Sequence, residues 1–229
     1  MDLSKILFID IETVSQYAKL EDAPQSYQDL WEHKAGFLMK DETDSPSSVY
    51  ERAGIYAEFG QIVCISAGFI HQSGSDNELR IKSFSGKDER VLLEEFAQML
   101  NQHYNSNDSL LCAHNGKEFD FPYIARRMIV QGVKIPNVLN LMGKKPWEVG
   151  HLDTMQMWKF GDFKSFTSLK LLAHSFGIPS PKDDIDGSQV GQVFWVEDDL
   201  DRIVRYCEKD VLTLAKVYLK LVQSEVELE

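Results

Sequence analysis

Asp10 and Glu12 stand two residues apart at the end of the apolar run Ile6-Leu7-Phe8-Ile9. In an extended strand, side chains at i and i+2 point to the same face, so these two carboxylates converge. Like charges at that spacing repel, and a cation held between them would offset the cost. A polar strand end meeting solvent would need no cation. Asp120 lies in His114-Asn115-Gly116-Lys117-Glu118-Phe119-Asp120-Phe121-Pro122-Tyr123-Ile124. It reads either as a third acid of a site or as the N-cap of a helix whose first turn holds Pro122. Tyr206 and Asp210 are four residues apart near the C-terminus, hence about 40° from each other around a helix axis. They read either as part of the same constellation or as a solvated acid beside a core aromatic.

Those side chains need a sheet and helices to hold them. Ile6-Leu7-Phe8-Ile9 suits a central strand buried on both faces. Residues 62–70 and 79–84 read as further strands, the second alternating Leu79 and Ile81 with Arg80 and Lys82. Gly74-Ser75-Asp76-Asn77 between them is turn material. Ser85-Gly86-Lys87-Asp88 opens a helix with apolar positions Val91, Leu92, Phe96, Met99 and Leu100. A short fourth strand at 110–113 precedes a helix that runs to about Gln131 and stops at Gly132. Residues 136–166 read as loop-rich, and 169–176 as a helix ended by Gly177 and blocked by Pro179 and Pro181. Asp198 or Asp199 caps a last helix with the stripe Leu200, Val204, Cys207, Val211, Leu214, Tyr218 and Leu221.

This order predicts a mixed α/β fold with one core, a single domain over 1–229. Residues 14–60 form an insertion between the first two strands, with nine acidic and four basic residues, and 49–59 could supply a helix there.

The 229 residues carry 24 Lys+Arg against 36 Asp+Glu, a net charge of −12. That balance argues against a protein that grips polyanions over a broad basic surface. Hydrophobic residues at 43% and charged residues at 26% are globular proportions, not those of a disordered chain. Cys64, Cys112 and Cys207 form no CxxC pair, so buried thiols in a reducing compartment are expected. His114, His151 and His174 lack ligand spacing and read as polar fillers. Without a signal-like N-terminus or a long apolar segment, a soluble cytoplasmic protein with no membrane association is expected.

Strand-end D-x-E, then N-x-x-x-F-D-x-P-Y-I at 115–124, then helical Y-x-x-x-D at 206–210 occur in one order. In these motifs the sequence resembles the DEDD exonucleases of the Tyr-containing branch. It is most similar to the proofreading exonuclease domain of family B DNA polymerases, here without a polymerase. Ser168-Leu169-Lys170-Leu171-Leu172 and Phe176-Gly177-Ile178 extend the similarity, which reaches from about residue 5 to 221.

The resemblance implies a ribonuclease H-like mixed β-sheet flanked by helices. It implies 3′→5′ hydrolysis of single-stranded nucleic acid, DNA favoured, with release of nucleoside monophosphates. Two divalent ions, Mg²⁺ or Mn²⁺, would be the cofactors, and carboxylate oxygens suit such hard cations. By the same resemblance Asp10 would bridge both ions, Glu12 and Asp210 would complete one site, and Asp120 would serve the other. Tyr206 would orient the attacking water; with an ordinary pKa near 10 it is too weak a base to activate it alone. Thr13, Asn115 and Phe119 would lie near the terminal nucleotide, although Phe119 equally suits a core. An exoribonuclease of the ribonuclease D or oligoribonuclease type, and a non-catalytic binding module of the same fold, are the rival readings.

Residues 144–182 offset the acidic total locally, with six Lys against three acids. Trp147, Trp158, Phe160, Phe163 and Phe166 are interleaved with Lys144, Lys145, Lys159 and Lys164. Cations tracking phosphates and aromatics stacking on bases would suit a single strand; an irregular segment packed on the domain would show the same composition.

Overall fold

The computed structural model describes residues 2–73, 76–162, 164–179 and 185–228. Gly74, Ser75, Phe163 and Pro181 of the sequence reading therefore lie outside the described residues. Five strands form one mixed sheet: β1 (Ile6–Ser15), β2 (Gly60–Ser73), β3 (Asp76–Ser85), β4 (Leu110–Ala113) and β5 (Leu152–Asp153). Their order is β3-β2-β1-β4-β5, antiparallel across the first three and parallel from β1 to β4 and from β4 to β5.

The apolar run of β1 is central, as its burial on both faces requires. Ile6 and Phe8 pack with Val211, Leu214, Ala215 and Tyr218 of the C-terminal helix α7 (Leu200–Leu221). Leu7, Ile9 and Ile11 point the other way, into a core built on α2 (Glu89–His103) and α3 (Asp120–Val130). Each fully buried Ile, Leu or Phe in these layers contributes roughly 1.5–3 kcal/mol. Asp88 caps α2 by accepting from Val91 N–H at 3.2 Å. On that helix Leu92, Leu93, Phe96, Ala97 and Leu100 are buried, whereas Val91 is exposed and does not belong to the stripe. A buried pair, Arg127 Nη2 to Glu89 Oε2 at 2.6 Å, joins α3 to α2. Arg127 also donates to Ala57 O, and Glu89 accepts from Ile62 N–H, so one ion pair fastens two helices, a loop and β2.

The segment between β1 and β2 contains α1 (Gln25–Ala35), and the helix that residues 49–59 supply is a 3-10 helix at Tyr50–Ile55. Leu20, Trp31, Ala35, Tyr50 and Ala53 form a small aromatic-rich core of their own. Gly54 presses on β1, where a Cβ would sit 3.1 Å from the Val14 carbonyl carbon, so the glycine is what permits the contact.

Residues 136–166 are not wholly loop. They contribute edge strand β5 and α4 (Thr154–Lys159), with α5 (Leu169–Ser175) and α6 (Val190–Gln192) following. A π-helical turn at Val193–Glu197 leads from α6 toward α7.

Candidate active site

Alternation along β1 sends Asp10 and Glu12 to the same face as Ile6 and Phe8, beneath α7. The strand then departs from regular pairing: Glu12 opposes Cys64 while Thr13 opposes Ile62, leaving Val63 as an extra residue on β2. Val63 and Cys64 consequently both pack toward α7, in one cluster with Val14, Ile203 and Cys207. A bulge of this kind re-aims side chains beside a site.

Asp120 is the first residue of α3 and not its cap. The N-cap position is Phe119, which makes no side-chain cap hydrogen bond. The Asp120 carboxyl accepts from its own N–H and from the Ile11 backbone, which ties α3 to β1 at the residue between the two strand acids. On α7, Tyr206 hydrogen-bonds Asp210 one turn later.

The electrostatics show that these side chains share one locality. Burial first, then Glu12, Asp120 and Asp210, hold the Asp10 carboxyl far above the ordinary carboxylate range. Glu12 is raised likewise, by burial and then by Asp210, Cys64 and Asp120. Burial pushes Asp120 up to about 7. The Tyr206 hydroxyl is raised by burial and then by Asp210, Glu12 and Asp10, so it stays protonated. Three elements far apart in sequence thus bring four acids and a phenol into one locality, within which ligand atoms of Asp10, Glu12 and Cys207 lie within 4.8 Å of one another. Among the described residues, no Lys or Arg appears among the groups that raise Asp10, Glu12 and Asp120.

Oxygen-only donors with mutual repulsion fit one or more hard divalent cations. Glu12 is the sharpest sign: it is buried, yet among the described residues its carboxylate has no hydrogen-bond or ion-pair partner.

Glu12, Thr13 and Phe119 line a cleft of about 1060 Å³. One wall comes from the insertion, through Lys19, Tyr50, Arg52 and Ile55, and the other from 187–196, including Trp195. Phe119 lines this cleft and also packs on Tyr123, with ring centroids 5.3 Å apart. Asn115 does not line the cleft. It adopts a left-handed backbone (φ 63°) and donates its N–H to Asp153.

Asp153 is the residue that sequence reasoning missed. Its buried carboxylate accepts from the N–H groups of Asn115, Lys117, Met155 and Gln156 at 3.0–3.1 Å. It therefore fixes the turn that precedes Asp120 and caps α4 in one stroke. The visible signal was an acid directly before Thr154-Met155-Gln156, an ordinary N-cap pattern. His114 bonds Thr154 and the Thr167 carbonyl at 2.8 Å, and His151 bonds the Val138 carbonyl at 2.7 Å, so both are structural.

Trp147, Phe160 and Phe166 are exposed. Lys145 lies 5.3 Å over the Trp147 ring and Lys159 lies 4.3 Å over Phe166. Trp158 instead packs edge-on against Phe176.

A 3-2-1-4-5 mixed sheet flanked by helices, with Asp10 and Glu12 on its central strand, is a ribonuclease H-like α/β fold. Residues 55–229 match a family described as a predicted 3′-5′ exonuclease related to the exonuclease domain of PolB, and the chain belongs to that family. The fold is similar to the family B DNA polymerase of the hyperthermophilic archaeon Pyrobaculum calidifontis, with a TM-score of 0.58 and 16% identity. That alignment covers 95% of this chain and 24% of the polymerase, so the protein spans about a quarter of that relative. A structure of exonuclease I aligns over 92% of this chain and 43% of its own, at 10% identity and a TM-score of 0.42. Among curated proteins none matches. No described helix is long and apolar enough to cross a membrane.

Proposed function

We propose that the protein is a divalent-metal-dependent 3′→5′ exonuclease acting on single-stranded ends, DNA favoured, through one catalytic domain over 1–229. The observation that carries this is the gathering of Asp10, Glu12, Asp120 and Asp210 with Tyr206 in one partly buried locality. Asp10, Glu12, Asp120 and Asp210 would hold Mg²⁺ or Mn²⁺. Those ions, when bound, supply the Lewis acidity and positive charge that phosphodiester hydrolysis requires. The chain's own residues do the positioning. Tyr206, held as a neutral phenol, presents its hydroxyl to orient the attacking water, while Asp210 fixes the ring from one turn away. Thr13 and Phe119 face the cleft where a terminal nucleotide would sit, and Asn115 acts through the backbone of the Asp120 turn. Exposed Trp147, Phe160 and Phe166, two of them beneath lysines, suit stacking of unpaired bases.

The test is digestion of 5′-labelled DNA and RNA single strands with Mg²⁺ or Mn²⁺, run beside Asp10→Ala. A ladder shortening from the 3′ end, faster on DNA and absent in the variant, is expected. Internal cuts or activity in chelator would overturn the mechanism. Preference for RNA would favour an exoribonuclease, and metal-free strand binding without cleavage would favour a binding module.

A further inference from the structure

A second groove, of about 950 Å³, opens on the sheet face turned away from Asp10 and Glu12. One side is the hairpin of β2 and β3; the other is the C-terminal half of α2, through Gln98, Met99 and Gln102. That size suits a small ligand. Its floor follows from strand alternation, which turns Ala67, Phe69 and His71 of β2 toward α2, as it does Leu7 of β1. Cross-strand register sets Arg80 directly opposite Phe69, and Lys82 opposite Ala67. Opposed side chains on one face stand about 4.5–5.5 Å apart at Cβ, so a partly buried ring lies beside two cations. Ala67 next to it is small and leaves room. Among the described residues, Arg80 is engaged only by Glu78, through Nε at 2.9 Å, and its two terminal nitrogens point to no partner.

Tyr104 is the sign that a ligand belongs here. It is only 7% exposed, and it lines the groove. Its hydroxyl bonds to no described residue and yet is not sealed within protein, so it opens onto the groove. Burial pushes this phenol up to about 12, so it stays protonated and able to donate. Polar groups so deeply placed are normally hydrogen-bonded, and a ligand atom in the groove would complete this one. The acids of the groove do not cancel its cations. Asp2 accepts from the Ser4 N–H at 3.0 Å and from the Ser4 hydroxyl. That leaves Glu95 against Arg80 and Lys82, with His71 and His103 adding charge when protonated.

We infer that this groove binds one nucleoside monophosphate, at a site separate from the metal cleft. The base would stack on Phe69, and the phosphate dianion would lie against Arg80 and Lys82. The Tyr104 hydroxyl and the amides of Gln98 and Gln102 would meet the polar edges of the base and sugar. The inference rests on the proposed nuclease reading in one respect only, that the reaction would release this ligand.

The test is calorimetric titration of the full chain with AMP and dAMP, in chelator and without substrate. One saturable site per chain is expected, with adenosine and inorganic phosphate each binding at least about 10-fold more weakly. Replacing Arg80 and Lys82 together by Ala should weaken AMP binding by at least about 10-fold; both are exposed, so the fold is not at stake. Tyr104→Phe should weaken it by about 2–10-fold at unchanged Tm, because the hydroxyl has no described protein partner to lose. Asp10→Ala should bind as the wild-type chain does. No saturable binding, or binding untouched by the double substitution, would overturn the site. Loss of binding in Asp10→Ala would also overturn it, by placing the nucleotide in the metal cleft. An acidic peptide that binds where AMP does not would assign the groove to another ligand and refute this one. The titration involves no turnover, so its failure and a failure of Mg²⁺-dependent digestion are separate results.

Discussion

The site's residues were legible because strand and helix periodicities are short-range. Asp10 and Glu12 share a face by alternation alone, and Tyr206 and Asp210 share one by the helical repeat. What spacing could not convey is how far burial alters them. Tyr206 stays protonated, so it can only donate or orient. Tyr206→Phe is therefore expected to slow hydrolysis by about 10²-fold, the order of cost of misplacing a reacting group by about 1 Å, without the total loss of Asp10→Ala. Single-turnover rates on a short labelled strand check this, and equal loss in both variants would refute it. The acids make a second prediction. Their folded pKa values lie above the unfolded values, so the metal-free native state holds protons that the unfolded chain has released. The stability tied to those protons is full below the unfolded pKa values and is lost as pH rises through the folded ones. Metal-free Tm should fall between about pH 4.5 and pH 7.5, with Mn²⁺ restoring it most at the higher value. Glu12→Gln should raise the metal-free Tm near neutrality and shrink the Mn²⁺ response. Calorimetric melts with and without chelator would show either pattern directly.

Long or strongly periodic elements were readable, and short ones defined by tertiary contacts were not. The buried run of β1 and the stripe of α7 announce themselves. β5 is two residues long, with no periodicity to detect, and exists because it pairs with Cys112 and Ala113. α1 escapes sequence reading since its apolar face meets the insertion's own Leu20, Tyr50, Ala53 and Phe59 rather than the main core. The Arg127–Glu89 pair was equally hidden, because 38 residues separate partners that nothing local relates. β5 matters to function through Asp153, which holds the turn before Asp120 by its contacts with Asn115 and Lys117. Hydrogen bonds to a charged group contribute about 1.5–3 kcal/mol each, and four donors lose their acceptor in Asp153→Ala. A loss on the order of 3 kcal/mol is expected after partial rehydration of those N–H groups. Activity should fall more than occupancy of the folded state explains, because Asp120 loses its register. Denaturant melts read beside kcat under fully folded conditions separate the two effects; unchanged kcat would mean that Asp153 only stabilises.

At the scale of the whole molecule, a −12 chain that acts on nucleic acid must confine its attraction to a small area. Four of 36 acids cluster at the proposed metal centre, where bound cations invert the local field. The remaining acidity opposes a long strand wherever it runs over the surface. The relief lies around Lys145 and Lys159, each set against an exposed ring, so stacking and a few phosphate contacts coincide there. Binding should then depend weakly on salt and strongly on aromatics. With about three phosphates engaged, log K against log salt should slope near −2 for a single strand, since each contact contributes roughly −0.7. Replacing Trp147, Phe160 and Phe166 by Ala together should weaken binding by about 1–3 kcal/mol per stacked base while leaving that slope unchanged. Fluorescence anisotropy of a labelled 20-mer in chelator, across a KCl series, measures both quantities. A slope steeper than about −5 would require a broad basic track that the charge balance denies. An unchanged affinity in the triple variant would assign these exposed rings to something other than the strand.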